Sequence, residues 1–246
     1  MIPALRNYDP KRDFFDQYSK ELNAHIEMIL EYKNSANHLA IPRHVQHGTI
    51  NLRSSDQHTR FCHNRSMLDL VPHSHLFERR RVIDIGVGFG GMYYPIRFGR
   101  PKKIIALDPF VENLELIKDL GYDEFSPVGW EDHKFLPGDF AFIRRTWLTD
   151  WRAFSKAMCD QRVTDILIIQ DFLDLPLDDV YQHIDVGETV VCRWTYDKPI
   201  KILLTPTISE IIKIFREYDY ALMHQSSRAK HPFKRIFTLH FTRVKP

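Results

Sequence analysis

Apolar residues recur at three- and four-residue steps from Phe15 through Tyr18, Leu22, Ile26 and Ile29 to Tyr32. That spacing gathers one face of an α-helix, and the expected element is an amphipathic helix packed on a core. Asp9-Pro10 just ahead is a start signal: aspartate can cap, and proline lacks an N–H that the first turn would leave unbonded anyway. Over residues 34–75 the periodicity fails. A long irregular stretch of this kind in a compact chain is usually functional or disordered rather than idle. From residue 82 onward the pattern changes to short apolar runs: RVIDIG, KKIIALDP, GDFAFIRR, TDILIIQDF and ETVVCRWTY, followed by ALMHQSS and RIFTLHFTR. Each reads as a strand, with helical patterns over 110–120, 150–159, 176–184 and 207–218. Strands alternating with helices predict an α/β fold with a mostly parallel sheet covered on both faces. Only the short segment RAKHPFKR separates the last two strands, too little for a crossover helix, so they should pair antiparallel.

Composition narrows the class. A chain of 246 residues with 43% hydrophobic and 13% aromatic residues can bury a substantial core and is not a disordered chain. Its apolar runs are too short for a transmembrane helix. The opening MIPALRNYDPKRDFF has neither the apolar region nor the cleavage site of a secretory signal. Cys62, Cys159 and Cys192 are scattered and odd in number, which fits a reducing compartment rather than a disulfide framework. A cytoplasmic protein is the expectation.

The net charge of +2 conceals an uneven distribution. Residues 1–81 carry 12 Lys/Arg against 9 Asp/Glu, which is +3; residues 82–187 carry 11 against 18, which is −7. Residues 188–246 carry 11 against 5, which is +6. An acidic middle therefore lies between two basic ends.

The most informative chemistry lies in Val82-Ile83-Asp84-Ile85-Gly86-Val87-Gly88-Phe89-Gly90-Gly91. Glycines after a buried strand allow a tight turn and close approach of backbone to a ligand. The next strand ends in Asp108, 22 residues after Gly86, where a carboxylate can accept hydrogen bonds from ribose hydroxyls. Gly86-x-Gly88-x-x-Gly91 alone also satisfies a dinucleotide fingerprint. Asp84 argues against that reading, since a pyrophosphate gains nothing from a carboxylate two residues before the first glycine. A cationic ligand, such as the ammonium of a methionine moiety, suits it better.

The run D-I-G-x-G-x-G-G resembles motif I of class I S-adenosylmethionine-dependent methyltransferases, and ALDP resembles their motif II. The resemblance spans roughly residues 80–244 and implies a Rossmann-like, seven-stranded sheet with a C-terminal antiparallel strand pair. It further implies a methyltransferase domain over 81–246, preceded by an N-terminal helical and irregular appendage over 1–80. It implies S-adenosylmethionine as cofactor, lined by Gly86, Gly88 and Gly90, with Asp84 near its amino-acid end and Asp108 on its ribose. Trp147, after the third expected strand, could stack on adenine or serve as core. Asp171, at the carboxyl end of TDILIIQDF, falls where the superfamily places motif IV and faces the cofactor crevice; it could orient a nucleophile or cap a following helix.

The methyl acceptor is read from the basic ends. Arg60-Phe61, Arg79-Arg80-Arg81, Arg228, Lys230 and Lys234-Arg235 combine cations with aromatics, a pattern suited to phosphates and stacked bases. The C-terminal third also resembles the ribose 2′-O-methyltransferase branch and viral cap methyltransferases, which use a Lys-Asp-Lys-Glu tetrad to deprotonate a ribose hydroxyl. Asp171 matches the aspartate. Arg193, or Lys198, stands at the second lysine, Lys234 near the glutamate, and no clear lysine precedes motif I. Arginine cannot act as the deprotonable member. Guanine N7 has an available lone pair and asks only for alignment. An RNA methyltransferase is therefore expected, with cap guanine N7 ahead of ribose 2′-O, and Asp171 and Arg193 as candidate catalytic residues. Arg60, Arg228, Lys230 and Lys234 are the candidate substrate contacts. A small-molecule or protein methyltransferase and a non-catalytic RNA-binding module remain alternatives. His44-x-x-His47 and Cys62-His63 are zinc-ligating types without a paired C-x-x-C unit, so no metal site is assigned.

Overall fold

The computed structural model describes residues 8–34, 64–144, 150–173, 189–196, 198–231 and 234–244. The chain forms two compact units, Met1–Gly129 and Trp130–Pro246. Among the described residues, seven strands form a mixed sheet in the order β3-β2-β1-β4-β5-β9-β8, and β6 and β7 form a separate two-stranded ribbon. The expected seven-stranded sheet with a C-terminal antiparallel pair is thus present.

In the first unit, α1 (Pro10–Asn34) begins where Asp9-Pro10 predicts. The Asp9 carboxylate accepts from the backbone N–H groups of Lys11 (3.0 Å) and Arg12 (3.4 Å), partnering donors the first turn leaves free. Phe14 rather than Phe15 leads its buried face, followed by Leu22, Ile26, Ile29 and Leu30. A second helical stretch, 64–70, runs into a 3₁₀ turn, Val71–Phe77. Strand β1 (Arg81–Ile85) pairs in parallel with β2 (Lys103–Leu107), and β2 with β3 (Glu124–Ser126). Helix α2 (Tyr93–Phe98) follows β1 and α3 (Val111–Ile117) follows β2. Phe14 of α1 meets Phe98 edge-on at 5.7 Å and Tyr18 lies 6.0 Å from Tyr94, so α1 packs on α2 through aromatic rings.

In the second unit, β4 (Phe140–Arg144) runs parallel to β5 (Asp165–Leu173). Between them Asp150 caps α4 (Trp151–Asp160), accepting from the Ala153 N–H at 2.8 Å. Thr207 caps α5 (Ile208–Glu217) in the same way. The final hairpin, β8 (Tyr220–His231) with β9 (Lys234–Arg243), is antiparallel, and β9 lies antiparallel against β5. Phe215 stacks on Phe241 at 4.2 Å, joining α5 to the sheet.

Three expectations need correction. The strand GDFAFIRR is the fourth rather than the third, because the three-residue β3 precedes it. The last two strands extend through most of RAKHPFKR and are separated by only two residues. The segment ETVVCRWTY does not join the main sheet: as β6 (Thr189–Tyr196) it pairs antiparallel with β7 (Lys198–Pro206). With the two strands consecutive, local pairing closes almost no loop, whereas insertion into a distant sheet requires ordering a long connection. The expected helix over 176–184 lies outside the described residues. Among those residues no helix is long and apolar enough to cross a membrane.

Candidate cofactor site

The chain after β1 turns sharply. The Gly86 N–H donates to the Leu107 carbonyl at 2.7 Å, extending the β1–β2 ladder by one bond. Gly86, Gly88 and Gly90 then all take positive φ (70°, 52° and 69°), conformations costly for residues with a Cβ. At Gly90 the demand is also steric, since a Cβ would lie 2.5 Å from Leu120 Cδ1 and 2.9 Å from Ile117 Cγ2. The three alternating glycines therefore have a structural cause: they fold the loop tightly and bring it against the end of α3.

Asp108, directly after β2, joins that loop to the start of α3. Its Oδ2 accepts from the Gly88 N–H at 3.1 Å and from Asn113 Nδ2 at 3.0 Å, and its Oδ1 accepts from the Phe110 N–H at 2.9 Å. Asp108 is 3% exposed. Its carboxylate is thereby fixed among donors on three segments, as an anion in a buried setting requires.

Asp84 is likewise 3% exposed and sits on β1 opposite Ala106. Its Oδ2 accepts a hydrogen bond from the Tyr122 hydroxyl at 2.7 Å. Burial, and then the charge and hydrogen bond of Asp84, push the Tyr122 pKa well above its ordinary value, so the phenol remains a donor. Tyr122 itself rests on Tyr93 at 5.0 Å, and the Tyr93 hydroxyl donates to the Gly121 carbonyl at 3.2 Å. His25 of α1 reaches the same loop: it hydrogen-bonds the Phe89 backbone and meets Tyr94 edge-on at 5.7 Å. Burial lowers its pKa to about 4, so it is neutral near pH 7.

Of the sequence-derived candidates, Asp84, Gly86, Gly88, Gly90 and Asp108 all lie in the first unit, and Gly88 and Asp108 are directly bonded. Asp171 lies near the carboxyl end of β5, opposite Ile236 of β9. Arg193 sits opposite Ile202 within the ribbon, not on the main sheet, and Lys198 begins β7. Arg228 is half-buried on β8, Lys230 lies near the end of that strand, and Lys234 opens β9 opposite Leu173 of β5. Arg60, Trp147 and the histidines from His38 to His63 lie outside the described residues.

Two residues escaped sequence reasoning. Tyr122 is 38 positions from Asp84 and carries no motif. Asn113 follows Asp108 by five positions, and only the turn at Phe110 brings its amide back to the carboxylate.

No protein-family model matches the chain, and no curated protein matches it. Solved structures do. A proposed S-adenosylmethionine-dependent methyltransferase from Listeria monocytogenes is similar at TM-score 0.55 and 11% identity, over 74% of this chain and 98% of that one. Magnesium protoporphyrin IX methyltransferase from Synechocystis PCC 6803, solved with S-adenosylmethionine, is similar at 0.52 and 13%, over 89% and 97%. A protein from Pyrococcus horikoshii, proposed as an RNA methyltransferase, is similar at 0.50 and 14%, over 74% and 83%. At these identities the likeness is one of fold. The chain has the Rossmann-like fold of class I methyltransferases.

Proposed function

We propose that this chain is an S-adenosylmethionine-dependent methyltransferase acting on RNA, with cap guanine N7 ahead of ribose 2′-O. The observation that carries the first part is the buried set of Asp84, the three left-handed glycines and Asp108, on the β1–β2 edge of this fold. In open α/β sheets, ligands bind beyond the carboxyl ends of the strands, where these residues lie. The donor set also fits the group: Asn113 Oδ1 is buried and has no hydrogen-bond donor among the described residues, and it adjoins the carboxylate assigned to the ribose.

Bound there, the cofactor supplies an electrophilic methyl group on a sulfonium. Asp84 balances the ammonium of the methionine moiety, Gly86, Gly88 and Gly90 let the backbone approach, and Asp108 takes the ribose. Trp147 is assigned to the adenine. Asp171 and Arg193 are assigned to the acceptor side, with residues 81–246 as the transfer domain and 1–80 as its appendage.

The RNA part is supported by register. The β8–β9 pairing gathers Arg228, Lys230, His231, Lys234 and Arg235 at one end of the hairpin, alongside the carboxyl end of β5 and Asp171. A cluster of cations there suits phosphates, and Arg60 would add to it. N7 stands ahead of 2′-O because Arg193 cannot shuttle a proton, whereas N7 needs only alignment. Incubating the protein with labelled S-adenosylmethionine and capped RNA, then mapping the label by nuclease digestion, tests both parts. Label in guanine N7 is the expected result. Label in a ribose favours 2′-O, and label in no RNA overturns the RNA reading. Calorimetry with S-adenosylmethionine, S-adenosylhomocysteine and NAD checks the cofactor separately.

A further inference from the structure

We infer that Asn113 is a second ribose-binding group that acts beside Asp108, an inference that rests on the methyltransferase reading above. Asn113 occupies the third position of α3 and is 4% exposed. Its Nδ2 donates to Asp108 Oδ2 at 3.0 Å, the oxygen that also accepts from the Gly88 N–H at 3.1 Å. Its Oδ1 is buried and accepts nothing from any described residue. A buried amide oxygen without a donor costs about 1–3 kcal/mol, and asparagine is a poorer helix former than alanine or leucine. Neither local helix stability nor core packing accounts for asparagine at this position.

The orphaned oxygen has a defined chemical complement. It is an acceptor held within one hydrogen bond of a carboxylate, so the group it suits presents a donor close to the donor read by that carboxylate. A vicinal diol does this: one hydroxyl donates to Asp108, the other to Asn113 Oδ1. Both hydroxyls lie on the ribose of the nucleoside. The donor from Asn113 Nδ2 also fixes the amide orientation, because rotating it by half a turn would set Oδ1 against the carboxylate. The pair therefore reads a diol rather than a single hydroxyl, and a nucleoside lacking one hydroxyl leaves one acceptor unbonded.

Calorimetric titration of the full chain tests this with S-adenosylhomocysteine and its 2′-deoxy and 3′-deoxy analogues. Each analogue should bind the wild-type protein about tenfold or more weakly than the parent compound. Asn113→Ala should weaken the parent about tenfold and lose most discrimination against one analogue while keeping it against the other, which Asp108 reads. Asn113→Ser, which retains a hydroxyl donor towards Asp108, provides the same comparison if the alanine variant does not fold. Equal binding of all three compounds by the wild-type protein overturns the inference. So does a folded Asn113 variant that discriminates both analogues as the wild type does. Failure of wild-type protein to bind S-adenosylhomocysteine at all would instead overturn the methyltransferase reading, and this inference with it.

Discussion

The Tyr122 hydroxyl donates to Asp84 Oδ2 across 2.7 Å, linking the residue after Gly121 to the middle of the first strand. Both side chains are buried, so the bond forms without competition from water. A phenol and a carboxylate in that setting form a charge-assisted hydrogen bond, stronger than one between neutral groups. Asp84 is thereby held in place on β1 by a partner 38 residues away.

Tyr122→Phe removes the donor while keeping the ring that packs on Tyr93 and Phe125. The expected loss is about 2 kcal/mol, the range for a hydrogen bond to a charged group. Urea denaturation would show it as a lower midpoint at unchanged slope. An unchanged midpoint would mean that the bond contributes nothing to stability.

Stability should also fall with acidity through His25. Its folded pKa of about 4 lies below the ordinary 6.5 because burial disfavours the imidazolium, despite the opposing effect of the Phe89 hydrogen bond. Between those values the unfolded chain binds more protons than the folded one, so stability rises with pH across that window. It is complete above pH 6.5 and is lost as pH falls towards 4, by up to about 3 kcal/mol. Denaturation curves at several pH values would trace the decline, and His25→Leu should flatten it. A slope that persists in the variant would assign the effect to other groups.

Two glycines separate backbone strain from crowding. Gly138 has φ of 90°, and a Cβ there would meet nothing within 4 Å, so Gly138→Ala incurs only the left-handed conformation. That is about 1–2 kcal/mol. At Gly90 the Cβ of an alanine would fall 2.5 Å from Leu120 and 2.9 Å from Ile117, and overpacking of this kind adds about 1–3 kcal/mol. Thermal unfolding should therefore rank wild type above Gly138→Ala and Gly138→Ala above Gly90→Ala. The reverse order of the two variants would contradict the packing described for the glycine loop.

The end of the β8–β9 hairpin provides a test on nucleic acid. Replacing Lys230 and Lys234 together by glutamate should weaken binding of single-stranded RNA and flatten its dependence on salt. Each phosphate that is no longer neutralised reduces the slope of log K against log salt by about 0.7. Fluorescence anisotropy over a salt series measures both. Equal slopes for variant and wild type would remove these lysines from the RNA-binding surface.

Local patterns were legible because their causes are local. Asp9-Pro10 marks the start of α1, and the alternation of apolar runs with helical periods marks the α/β class, since each depends on residues a few positions apart. The glycines after β1 and the acid after β2 could be read for the same reason: a tight turn and a strand end have short signatures. The three-residue β3 lacks enough alternation to register, with its Glu124 and Phe125 exposed.

What the tertiary structure alone decided are the pairings between distant segments. It set β6 on β7 and away from the main sheet, taking Arg193 with it. It brought Tyr122 to Asp84 and tied Gly88 and Asn113 to one oxygen of Asp108. A hydrogen bond of about 3 Å has no sequence period, because it is selected by where whole elements pack rather than by the residues beside it. By itself the sequence determined the helices, the strands and the positions of two acids and a glycine loop. Packing determined which groups those acids hold, and left one amide oxygen, on Asn113, without a donor among the described residues.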